Sequence, residues 1–123
     1  KTIITLTRDI KKGESVGYNR NFIAKKDMTI GVIPIGYADG LNRKRGNGNG
    51  KVWVNGSLAP IIGNICMDMC MIDLTGIEFS EGDDVVIFGE EYSVNNIAKE
   101  LDTISYEIFT TVSTRVKRVF YQE

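Results

Sequence analysis

Apolar residues in this chain recur at every second position in short runs, and almost nowhere at helical spacing. Ile3 to Leu6, Ser15 to Ala24, Met28 to Ile35, Lys51 to Val54, Leu58 to Ile62, Ile65 to Leu74, Val85 to Phe88 and Val116 to Tyr121 read as strands. In an extended chain successive side chains point to opposite faces, so this alternation is what a half-buried strand requires. Asn55-Gly56, between VWV and SLAP, is a strong hairpin signal, because a type I′ turn needs positive φ at both central residues. Glu81-Gly82-Asp83-Asp84 marks a further turn before VVIF. Helical spacing is confined to Ser93–Leu101, with Ser93 placed to cap and Val94, Ile97, Ala98 and Leu101 on one face, and to Ser105–Val112. The expected architecture is mainly β: a small Greek-key-like β-barrel with one or two short helices near the C-terminus. With 123 residues and no internal repeat or linker, residues 1–123 form one domain.

The available chemistry is narrow. There is no histidine, which removes Ser-His-Asp and Cys-His catalysis and histidine-ligated metals. Acid-base work is left to carboxylates, lysine, cysteine or tyrosine. Two cysteines, Cys66 and Cys70, make neither a disulfide framework nor a zinc set. No run approaches the length of a membrane span, and KTIITLTRDIKKGE lacks the apolar stretch of a signal peptide, so a cytoplasmic protein is expected. Lys1 in place of a methionine points to a longer parent chain.

Charge is balanced overall, with 15 basic and 16 acidic residues, but it is unevenly placed. Gly40 to Cys66 carries Arg43, Lys44, Arg45 and Lys51 and no acid; Gly76 to Glu107 carries nine acids against Lys99 alone. Such a basic stretch can mark a nucleic-acid surface. RKRGNGNGK has no interleaved aromatic residues on which bases could stack, so a solvated, glycine-loosened loop is the expected reading and nucleic acid is not an expected partner.

Four segments are candidates for function. Gly36-Tyr37-Ala38-Asp39-Gly40 ends the strand IGVIPI with glycines where the backbone turns tightly or approaches something closely. Cys66-Met67-Asp68-Met69-Cys70-Met71, read as a strand, puts Cys66, Asp68 and Cys70 on one face and the three methionines on the other. Core filling explains that sulfur content better than a soft-metal site, and no metal is expected, but a carboxylate in a core needs a partner. In Val16-Gly17-Tyr18-Asn19-Arg20 an arginine shares the tyrosine's side of an extended chain and could lower a phenol's pKa, although the residues by themselves favour an ordinary strand with a surface tyrosine. Ser105-Tyr106-Glu107 opens a helix, with Arg115 and Arg118 following, a setting that suits phosphate, though capping without a ligand is the commoner use of such a start.

In this order the strings VGYNR, IPIGYADG, VNGSLAPIIGNICMDM, EGDDVVIFG, ISYE and STRVKRVF resemble the C-terminal domain of bacterial alanine racemase, from about Val16 to Phe120. The resemblance implies a parent with an N-terminal (β/α)₈ barrel that carries pyridoxal 5'-phosphate on a lysine, and a head-to-tail homodimer in which this domain faces the partner's cofactor. It implies interconversion of L- and D-alanine for peptidoglycan. By the same resemblance Tyr18 matches the catalytic tyrosine, opposite the barrel's lysine across the substrate's α-carbon. Met67 matches the residue whose backbone N–H holds the substrate carboxylate. Tyr106 matches the phosphate-contacting tyrosine, and Tyr37 and Arg43 match residues of the access channel. This sequence departs from the family pattern at Asn64, where many members carry arginine, and at Gly17 and Asn19, where serine and glycine are usual. The barrel, roughly 250 residues, has no counterpart here. The isolated domain is therefore expected to be inactive. The alternatives are a non-catalytic β module of a fused multidomain protein, or a racemase for another amino acid such as serine or lysine.

Overall fold

The computed structural model describes residues 1–16 and 22–118. Its strands are β1 (Thr2–Ile3), β2 (Leu6–Ile10), β3 (Ser15–Val16), β4 (Phe22–Ile23), β5 (Met28–Ile33), β6 (Lys51–Val54), β7 (Ser57–Ile62), β8 (Cys70–Asp73) and β9 (Asp84–Val85). Helices α1 (Val94–Glu100) and α2 (Ser105–Thr111) come last, and two 3-10 turns lie at Tyr37–Asp39 and Arg43–Arg45. The mainly β class and the late pair of helices are as expected. No helix among the described residues is long and apolar enough to cross a membrane.

An antiparallel five-stranded sheet, in the order β2-β5-β8-β7-β6, organises the domain. Its ladders do not close into a continuous barrel, but hydrogen bonding does pass between its edges. Trp53 and Val86 exchange two backbone bonds of 3.0 and 2.9 Å, β9 pairs with β1 through Thr2–Val85, and the Thr5 N–H reaches Val32 O at 3.0 Å beside β2. The β6–β7 hairpin turns at Asn55 (φ 45°) and Gly56 (φ 90°), the positive pair that a type I′ turn demands.

The central strands are buried on both faces. Along β8, Cys70 and Ile72 join one cluster with Ile33, Ile61, Val52 and Val85, while Met71 joins another with Met28, Ile30, Ile62 and Val16. The period of two assigns each side chain to one cluster or the other, which is why β5, β7 and β8 read as apolar runs. Truncating a side chain such as Ile72, fully buried, to alanine costs about 2–5 kcal/mol. A third cluster forms where α1 and α2 cover the strand end: Ile97, Ala98, Ile108 and Tyr92 pack with Trp53 and Phe88. Ser93 caps α1, its Oγ accepting from Asn95 N at 3.2 Å.

Several strand readings change. Ser15–Ala24 is not one strand but the paired β3 and β4 flanking residues 17–21, which lie outside the described residues. β2 escapes the alternation because Thr7, Arg8 and Asp9 line a largely exposed edge strand. Of Ile65–Leu74 only Cys70–Asp73 is strand. Within Val116–Tyr121, Val116 to Arg118 is not extended pairing. Arg118 donates to the carbonyls of Val112, Ser113 and Val116 at 3.1–3.3 Å, occupying acceptors that a ladder would use. Residues 119–123 lie outside the described residues.

Candidate functional site

Two of the four sequence candidates meet. The 3-10 turn after β5 lays its backbone on the 65–69 loop: Tyr37 N–H donates to Cys66 O and Ala38 N–H to Met67 O, both at 3.0 Å. A Cβ at Gly36 would stand 2.2 Å from Cys66 O and 2.4 Å from Met67 O, so only glycine lets these backbones approach. The turn is fixed internally, because Asp39 Oδ2 accepts the Gly36 N–H at 2.9 Å. The Cys66 and Met67 carbonyls are therefore spent on this contact, and the Cys66 N–H on a local bond to Met69 O of 2.9 Å. That removes this loop from β8 and overturns the expected strand alternation: Met67 and Met69 are exposed, Cys66 is half-buried, and only Cys70 and Met71 are core.

Asp68 is not a core carboxylate but an exposed one, and its partner is Arg115, whose Nη2 donates to Asp68 Oδ1 at 2.7 Å. The Nε of the same guanidinium lies 2.8 Å from Asp39 Oδ1. The hydrogen bond to Asp68 and then the charge of Asp39 hold the Arg115 pKa above its ordinary value. Arg115 and Arg118 thus serve the protein's own carboxylates and carbonyls rather than a phosphate at the start of α2. Burial pushes the Cys70 thiol up to about 12, which makes it an inert core group at neutral pH.

The basic loop is less loose than its glycines suggest. Arg45 is buried, with Nε 3.2 Å from Glu100 Oε2 on α1 and Nη2 donating to Lys51 O at 2.7 Å. Tyr92 Oη donates to the other oxygen of Glu100, and burial followed by that bond pushes the phenol up to about 12. No alternation marks Arg45, whose role depends on a carboxylate 55 residues away. Arg43, Lys44 and Lys51 of this stretch face solvent, and Arg43 lies by Tyr37.

Met67 is 52 % exposed, and its N–H meets no protein acceptor among the described residues. Tyr37 is exposed beside it in the chain fold, with the Arg43 guanidinium 6.0 Å from its ring centroid, at the outer limit of a cation–π contact. Tyr37 and Arg43 also border a cavity of about 480 Å³ together with Asp39, Ile108 and Thr111; Met67 and Tyr106 do not. Tyr106 stands in the first turn of α2, 78 % exposed. Asn64 is turned to Asn47, whose Nδ2 donates to its Oδ1 at 3.0 Å. Tyr18 lies outside the described residues.

The arrangement presents, on an exposed loop, a backbone N–H with no acceptor among the described residues, next to the turn of Tyr37, whose ring Arg43 approaches. Such a surface offers a small carboxylate one hydrogen-bond donor and a nearby cation. The family described as "Alanine racemase, C-terminal domain" matches residues 1–120. Alanine racemase from Helicobacter acinonychis is 44 % identical over 124 residues, covering 98 % of this chain and 33 % of that protein. The chain thus spans about a third of the length of such relatives. Alanine racemase from Bartonella henselae, solved with covalently bound pyridoxal phosphate, superposes with a TM-score of 0.90 at 34 % identity over 97 % of this chain and 33 % of that one. The Bacillus anthracis enzyme, solved with bound L-Ala-P, gives 0.89 at 37 % identity over 98 % and 32 %. By sequence over nearly its whole length and by fold, the chain belongs to the alanine racemase C-terminal domain family.

Proposed function

We propose that the chain is the C-terminal part of a pyridoxal-phosphate-dependent alanine racemase, working with a barrel domain that this sequence does not contain. The observation that carries the reading is the seating of the GYADG turn on the Cys66–Met67 backbone, which leaves the Met67 N–H with no acceptor among the described residues, on an exposed loop beside Tyr37. That N–H holds the alanine carboxylate and fixes the substrate's orientation; the methionine side chain need not react. Tyr37 and Arg43 line the approach, where a cation attracts an amino-acid carboxylate. Tyr18 is the base on one face of the α-carbon, and a lysine of the barrel serves the other face.

Pyridoxal phosphate, when bound, withdraws electrons from the substrate and acidifies its Cα–H. The described residues fit one contact with this group: the solvent-facing Tyr106 phenol can donate a single hydrogen bond to a phosphate carried by another domain. The partner is then a second subunit in a head-to-tail homodimer, the location cytoplasmic, and the product D-alanine for peptidoglycan. The test is a chiral assay of the full-length parent with L- and D-alanine, alongside Tyr18→Phe. Racemisation that this variant strongly depresses in the removal of the L-alanine α-proton supports the reading. A cofactor-loaded parent without turnover overturns it in favour of a non-catalytic module, and preferential turnover of serine or lysine reassigns the substrate. The 123-residue chain alone should neither retain the cofactor nor racemise alanine.

A further inference from the structure

Arg115 joins three separate stretches of chain. Its Nε is 2.8 Å from Asp39 of the GYADG turn, its Nη2 is 2.7 Å from Asp68 of the 65–69 loop, and its own segment is tied to the turn by a 3.1 Å bond from Ser113 N–H to Asp39 O. The Asp39 side chain is only 10 % exposed and its second oxygen holds Gly36 N–H, so the guanidinium acts on a carboxylate that already fixes the turn. From there the Tyr37 and Ala38 amides grip the carbonyls on either side of the Met67 N–H. A guanidinium presents its donors in a rigid planar fork. Divided between two carboxylates on two loops, that fork sets the spacing of the loops as well as neutralising them.

We propose that Arg115 is the positioning residue that aims the Met67 N–H at the substrate carboxylate. The proposal rests on the racemase reading above. It concerns geometry more than stability, because half-exposed ion pairs such as Arg115–Asp68 add little to folding. Lysine supplies the charge without the fork, so Arg115→Lys isolates the geometric role.

The test uses the full-length, cofactor-loaded parent. Arg115→Lys and Asp68→Asn should each raise KM for alanine, Arg115→Lys by about tenfold, with kcat changed much less, since the interaction lost is one made with bound substrate throughout the reaction. The double variant should be little worse than Arg115→Lys alone, because both changes break the same contact. Independently of activity, hydrogen exchange at the Tyr37 and Ala38 amides should quicken in Arg115→Lys while the β5 and β8 amides stay protected. An unchanged KM, a fall confined to kcat, additive effects, or unaltered exchange at Tyr37 and Ala38 each overturn the proposal. If the wild-type parent does not racemise alanine the functional reading fails instead, and the exchange measurement still decides whether Arg115 holds the loops.

Discussion

Removing Glu100 should destabilise the domain more than its place at the end of a short helix suggests. Glu100→Ala takes away the carboxylate that faces the Arg45 Nε at 3.2 Å and the acceptor of the Tyr92 hydroxyl. Arg45 cannot swing into solvent: its side chain is 1 % exposed, and a Cβ at neighbouring Gly50 would already lie 2.9 Å from its Nε. Its remaining protein contact is the 2.7 Å bond to Lys51 O. Breaking a fully buried ion pair costs about 3–5 kcal/mol. The Glu100 side chain is 23 % exposed, so water partly replaces it and we expect about 2–3 kcal/mol. With a urea m-value of about 1–3 kcal/mol/M, the midpoint should fall by about 1–2 M. Trp53, the sole tryptophan, packs against the Tyr92–Ile97 cluster and reports the transition by fluorescence. Arg45→Met with Glu100→Leu removes both charges at similar volume and should recover at least half of the loss, short only of the bond to Lys51 O and the Tyr92 partner. A Glu100→Ala midpoint within about 0.3 M of wild type, or a double variant no better than the single, would refute the claim that an uncompensated buried guanidinium is what costs.

Three further outcomes follow from single contacts. Gly36→Ala forces a Cβ to within 2.4 Å of two backbone carbonyls, so the full-length parent should lose most of its activity while the circular dichroism of the sheet is retained; wild-type activity would show that the two loops can separate freely. Asp83 accepts from Asn55 Nδ2 and Ser80 N–H, both at 2.8 Å, and these bonds, Asn55 first, hold its carboxyl below the usual 3.8. A depressed folded-state pKa stabilises above the unfolded value and is lost as pH falls through the folded one. Asp83→Asn should therefore narrow the drop in Tm between pH 5 and pH 3, and an identical drop in both proteins would contradict the assignment. Cys66, half-buried in its loop, should react with a thiol reagent at pH 8 in the folded chain, whereas Cys70, pushed up to about 12, should react only on unfolding; equal rates would argue against the described burial.

Local pattern was enough for the mainly β class, the hairpin at Asn55-Gly56, the capped α1 and the second helix, because each rests on neighbours in sequence: side-chain alternation, positive φ in a two-residue turn, a serine hydroxyl over the first free N–H groups. The candidate site residues Tyr18, Tyr37, Arg43, Met67 and Tyr106 came from resemblance to a family and not from local pattern. The role proposed for Met67 uses its backbone N–H, which no side-chain chemistry advertises. What pattern could not decide was every feature that depends on two distant segments meeting. The Cys66–Met71 alternation is a valid strand signal that loses to tertiary contact, because the GYADG turn claims the 66 and 67 carbonyls. Asp68, whose alternation suggested a core carboxylate, is exposed instead and pairs with Arg115, 47 residues on. The basic run from Arg43 to Arg45 reads as a solvated loop until α1 brings Glu100 over its last member. The sequence by itself determined the mainly β class, the Asn55-Gly56 hairpin and the two late helices, since those preferences are local and strong. Only the tertiary structure decided which charges are paired, which backbone donors remain free and which glycines are there for close approach, because those depend on distances across the fold that no periodicity encodes.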